Sequence, residues 1–176
     1  MNTGQTMITI GAMLLLAAMV MRVNTLFNST SEALTDSKLR VLAVSEAISI
    51  FEEASGKAFD NVSDTTAVYD PSIFTPVNKL GLDSGENASN PKTFNDFDDY
   101  LCYKDNPRID SVQILTSHAK LPFKVFIDVC YVNPSNPNVP SPIPTFHKKM
   151  TIKVTGPALG TDTIKMSTVN SYWFFR

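Results

Sequence analysis

The first twenty-one residues carry no charged side chain, and 7–21 (MITIGAMLLLAAMVM) is almost wholly apolar. A bilayer-spanning helix needs about 20 such residues, and the core of a secretory signal needs roughly 7–15. No Lys or Arg precedes the run, and the helical pattern does not stop where a signal would be cut. It continues: Met13, Val20, Phe27, Leu34, Val41 and Ile48 recur at intervals of seven, with Leu16, Val23, Val44 and Phe51 partly filling a second line. An apolar seven-residue repeat of this length describes a stripe along one continuous helix that packs against other helices.

Local signals agree with one long element. Asp36 stands four residues before Arg40, the favourable order for a helical ion pair. No Pro occurs before Pro71, and Gly56, followed by Lys57, is placed to end the helix in a left-handed conformation. The predicted helix covers 5–55, about 75 Å at 1.5 Å per residue, with an apolar half (5–23) and an amphipathic half (24–55). The competing reading is two helices broken near 22–30, where Asn24, Asn28, Ser29 and Thr30 lower helix propensity.

Residues 56–176 read as a β-rich head, which makes the chain α+β with domains 1–55 and 56–176. In 123–132 (FKVFIDVCYV), Phe123, Val125, Ile127, Val129 and Tyr131 alternate with Lys124, Phe126, Asp128, Cys130 and Val132. Met150, Ile152 and Val154 alternate with Lys149, Thr151, Lys153 and Thr155. This period of two marks half-buried antiparallel strands. Further strands are expected at 112–115 and 163–175, giving a four-stranded antiparallel sheet packed on the second half of the helix. The segment 133–145 holds five prolines, so it is expected to be a stiff surface loop outside the sheet interior. Residues 60–110 are broken by Pro71, Pro76, Pro91 and Pro107 into loops and short elements. The terminal aromatics Tyr172, Trp173, Phe174 and Phe175 exceed what one strand face buries.

Composition excludes several functions. Fifteen Lys+Arg against seventeen Asp+Glu leave no basic excess for a nucleic-acid binder. Two Cys and two His fit no zinc spacing. His118 and His147 are isolated, so no catalytic group, cofactor site or enzyme activity is assigned. Residues 83–110 carry a net charge of −4 and 111–176 one of +5. Opposite patches suit head-to-tail contact between copies or pairing within one molecule. Asp96, Asp98 and Asp99 form an acidic cluster. Such clusters bind calcium, but EF-hand spacing is missing, which leaves solvated turn or cap aspartates as the plainer reading. Sequons occur at Asn28, Asn61 and Asn87.

Gly4, the apolar run 7–21, the amphipathic stretch 27–51 and the strand-rich remainder together resemble the type IV pilin and pseudopilin superfamily. The resemblance covers the architecture of the whole chain. It implies a leader ending at Gly4 and cut by a prepilin peptidase. The helix would then rest in the inner membrane until pilus assembly machinery packs identical copies into a helical, extracellular filament. The family usually places a glutamate a few residues into the mature helix; Gln5 holds that place if Met1 is the mature start, and Thr9 if Gln5 is. MNTG also lacks the usual basic leader residues. A head outside the cytoplasm would let Cys102 and Cys130 form a disulfide closing a loop of about 28 residues, a gain of about 3–4 kcal/mol; two free thiols are the alternative. Three functions follow as expectations: a filament subunit, a pseudopilin of a secretion system, or a monomeric membrane-anchored binding module. The last requires the head to cover the stripe from Phe27 onwards.

Overall fold

The structure, a computed structural model, describes residues 2–113 and 120–173. The fold is α+β: a long N-terminal helix followed by a five-stranded antiparallel sheet. The chain divides into two compact units, 1–39 and 40–176.

Helix α1 (Thr3–Ser55) runs for 53 residues without a break, so the two-helix reading does not hold. Across its weak stretch the hydroxyls bond back into the helix. Thr25 donates to the Met21 carbonyl, and both Ser29 and Thr30 donate to that of Leu26. Such bonds satisfy the side chain without diverting the backbone. Gly4 and Gln5 lie in the first turn. At the other end Gly56 is not left-handed as expected. Its N–H donates to the Glu52 and Glu53 carbonyls, and the chain leaves the helix without a positive φ. Lys57 Nζ reaches the Phe94 carbonyl at 2.8 Å.

In the second unit the sheet consists of β1 (Arg108–Gln113), β2 (Lys120–Asn133), β3 (Asn136–Pro140), β4 (His147–Thr155) and β5 (Ile164–Ser171). The order is β1-β2-β4-β5, with β3 attached to the end of β2. The long β2 serves three partners in succession: β1 along 120–125, β4 along 124–131, and β3 at 132–133. The sheet therefore has one strand more than expected, because the proline segment does pair. It does so only at Val132↔Pro140 and Asn133↔Asn136, with a register shift between them, which fits the missing N–H groups of its prolines. The alternating strands at 123–132 and 149–155 fall as read from the sequence, whereas β1 begins at Arg108, four residues before the strand expected at 112–115, and β5 ends at Ser171. Leu115, His118, Phe174 and Phe175 lie outside the described residues.

One sheet face forms the core. Phe123, Val125, Ile127, Val129 and Tyr131 of β2 and Met150, Ile152 and Val154 of β4 are buried. The irregular segment before β1 adds buried Phe59, Phe74, Phe94, Phe97, Tyr100 and Tyr103. Phe59, Val68, Phe74 and Tyr131 cluster with Phe146 and Tyr172, whose hydroxyl accepts from Val68 N–H. Trp173 is exposed. Behind β4, Gly156 lies so close to β2 that a Cβ would meet the Pro122 carbonyl oxygen at 2.9 Å and Phe123 Cδ1 at 3.1 Å. Gly156→Ala is therefore expected to cost about 1–3 kcal/mol through overpacking, read as a lower urea midpoint.

Candidate assembly surface

Within the second unit, residues 40–55 of α1 present two opposite faces. Ala43, Ala47, Ile50 and Ala54 are buried, at steps of four, three and four. Val41 and Ile48 lie about 130–150° round the helix from that line at 100° per residue, and both are exposed, Val41 at 64%. Within this unit the helix thus joins its own head through Ala43, Ala47, Ile50 and Ala54 and leaves Val41 and Ile48 uncovered. Polar contacts hold that arrangement: Arg40 pairs with Asp162, and Arg108 lies 3.9 Å from Glu53. The sequence reading named the stripe and missed the buried line. Alanines at helical spacing were the available signal, weak because alanine is common on any helix.

In the first unit the same stripe continues through Met13, Val20, Phe27 and Leu34, all exposed, Phe27 at 72% and Leu34 at 55%. Between Met7 and Phe27 the apolar side chains are open on every side of the helix, including Ile8, Leu14, Leu15, Leu16, Met19 and Met21. This part of α1 is long and apolar enough to cross a membrane, and no part of that window is buried. Contiguous exposed apolar surface of this extent marks a membrane or protein contact. Gln5 and Gly4 sit at its outer end.

The acidic cluster is the clearest correction. Asp96, Asp98 and Asp99 are not solvated; each is at most 2% exposed. They do serve as caps: Asp99 Oδ2 accepts from the N–H groups of Asn95 and Asp96, Asp96 Oδ1 from that of Asp98, and Asp98 Oδ2 from that of Gly81. Among the described residues no group of three acidic, His or Cys side chains is arranged to hold a metal ion, so the calcium reading gains no geometry. The cation present is Lys148. It is fully buried, and its Nζ contacts Asp98 Oδ1, lies 2.9 Å from Asp60 Oδ2 and donates to the Phe59 carbonyl at 2.6 Å. Sequence reasoning missed both Lys148 and Asp60. The signal was parity: Lys148 shares the inward phase of Met150, Ile152 and Val154. Part of the opposite charge of the two segments is thus spent on internal pairing.

Environment sets the titration of this centre. Burial, with repulsion from Asp98 and Asp99, pushes Asp96 up to about 8. Burial and the neighbouring Glu86 push Asp99 up to about 7. Burial also raises Asp98. Burial works against ionised Asp60 too, but Lys148 and the N–H groups of Thr75 and Val62 outweigh it and hold its carboxyl below the usual value. In the unfolded chain Asp96 and Asp99 release their protons near 3.8. Their stabilising contribution is therefore complete below about pH 4 and declines as pH rises towards 7–8. Asp60 contributes a pH dependence of the opposite sign, confined to pH below about 4. The head is expected to be less stable at pH 8.5 than at pH 5. Asp96→Asn, which keeps an acceptor for Asp98 N–H, should flatten that slope and stabilise the alkaline side by about 1–3 kcal/mol. Urea unfolding at both pH values checks this; an unchanged slope contradicts it.

The expected disulfide is not formed: Cys102 and Cys130 are both free thiols. With alternate β2 residues committed to the core, Cys130 takes the other face, opposite Lys149 and near Asp128. Cys102 sits in the 3₁₀ turn Asp99–Tyr103 beside Asp99 and Glu86. Burial pushes both thiols up, Cys102 to about 11, so neither is an activated nucleophile. His147 Nδ1 pairs with Ser171 Oγ at 2.8 Å.

Comparison with protein-family models, curated proteins and solved structures returns no match.

Proposed function

We propose that this chain is a structural subunit of an extracellular type IV pilus-like filament, held in the membrane by its apolar helix before assembly. The observation that carries this reading is the uncovered stripe. A monomeric binding module would have its own head cover Phe27, Leu34, Val41 and Ile48. Within the second unit the head-side face of α1 is the separate line Ala43, Ala47, Ile50 and Ala54, and Val41 and Ile48 of the stripe stay exposed. Two environments cover such a surface, lipid along 7–23 and the helices of identical copies along its whole length. Burying an apolar side chain contributes about 1.5–3 kcal/mol against water. Lipid already offers most of that gain to the outer half, so packing shape and polar pairing set the register there. The amphipathic half gains it only from other chains.

The test is electron microscopy of material sheared from the cell surface, joined to mass spectrometry of the N-terminal peptide. Filaments containing this chain support the proposal, and a peptide beginning after Gly4 supports processing there. Short fibres confined to the cell envelope would indicate a pseudopilin instead. Complete absence of filaments, with the protein monomeric in the membrane, overturns both.

A further inference from the structure

We propose that Lys148 and Asp98 condense to an intramolecular isopeptide bond, joining Nζ of the lysine to Cγ of the aspartate. The bond would tie β4 to the turn that opens at Asp99, two segments brought together from 50 residues apart. The inference concerns the head alone and does not depend on the filament reading.

The site has the parts this reaction requires. The amine and the acyl group are already in contact, since Nζ touches Asp98 Oδ1. Fixed contact between nucleophile and electrophile gives a high effective concentration. Water is excluded: Lys148 and Asp60 are fully buried and Asp98 nearly so, and the Phe59 and Tyr131 rings lie 4.7 and 5.2 Å from Nζ. A medium of this kind disfavours an ion pair and favours the neutral amine and neutral acid that react. Asp60 is the proton acceptor, with Oδ2 2.9 Å from Nζ and fixed by the Tyr131 hydroxyl and Thr75 N–H, both at 3.1 Å. Gly81 N–H donates to Asp98 Oδ2 at 3.2 Å, where negative charge develops in the tetrahedral intermediate.

The balance is simple. Asp60 takes one ammonium proton, and the freed Nζ lone pair attacks Cγ of protonated Asp98. A second proton from nitrogen passes through Asp60 to Oδ1, which leaves as water when the C–Oδ1 bond breaks. Oδ2 remains as the amide oxygen, and Asp60 is left holding one proton. No oxidant, reductant or co-reactant takes part. The product also removes a buried ion pair, whose desolvation is costly.

The experiment is mass spectrometry of the purified full-length protein, intact after denaturation and again after trypsin digestion. The chain should be lighter than its sequence by one water, with that loss in a branched peptide joining residues 98 and 148. Lys148→Arg, whose guanidinium keeps the charge but is a poor nucleophile, should restore the full mass. A wild-type chain of full mass overturns the proposal. So does a water loss located within a linear peptide, or one that persists in Lys148→Arg.

Discussion

Leu34→Asp or Val41→Asp is expected to abolish filament assembly while leaving the head folded. Both positions are more than half exposed in the single chain, so a carboxylate there meets water and costs the monomer little. In a filament each copy would bury that charge against neighbouring helices, without a partner and many times along the fibre. Burying an unpaired carboxylate is strongly unfavourable, and the penalty recurs at every subunit contact. The measurements are filament yield from sheared cells and circular dichroism of the detergent-solubilised variant. Normal filaments from either variant would mean that the stripe is not the packing face. Ala43→Asp should behave differently, unfolding the head, because that face is already buried in the isolated chain.

Lys148→Met is expected to destabilise the head by about 3–5 kcal/mol, because it removes the buried nitrogen that joins Asp98 and faces Asp60 and leaves both carboxylates without that partner. Methionine approximates the lysine stem, so packing against Phe59 and Tyr131 is largely kept. What remains is Asp60 and Asp98 facing the same dry space without the lysine nitrogen between them. A loss of this size is a large share of the 5–15 kcal/mol that holds a typical domain. Neutralising both carboxylates in the Lys148→Met/Asp60→Asn/Asp98→Asn variant should recover part of it, since the neutral side chains no longer need a counter-charge. Urea unfolding monitored by aromatic fluorescence reads both effects. A loss below about 1 kcal/mol for Lys148→Met would show that the network does not organise the head.

The regular elements were legible because their periods are local. The apolar run and its heptad extension announced α1, and β2 and β4 showed in the alternation from Phe123 to Tyr131 and from Met150 to Val154. Even there, Gly56 misled: glycine permits a left-handed cap but does not impose one. Pairing by the proline segment was hidden because proline argues against a strand interior and says little about two pairs at an edge. The buried centre was least legible. Lysine and aspartate normally read as solvated, and these three meet from 88 and 50 residues apart. No local pattern predicts such closure, although the inward parity of Lys148 was a clue. The free cysteines teach the same lesson, since two thiols and an oxidising compartment do not by themselves make a disulfide.

The central claim is that the face of α1 left open by the head is closed by other copies of the same helix. Helical reconstruction of sheared filaments by electron cryomicroscopy tests it most directly. The account predicts Phe27, Leu34, Val41 and Ile48 in contact with neighbouring α1 helices and the small line Ala43, Ala47 and Ala54 still against its own head. A fibre in which those four side chains face solvent, or a protein that remains monomeric with them immersed only in lipid, would contradict it.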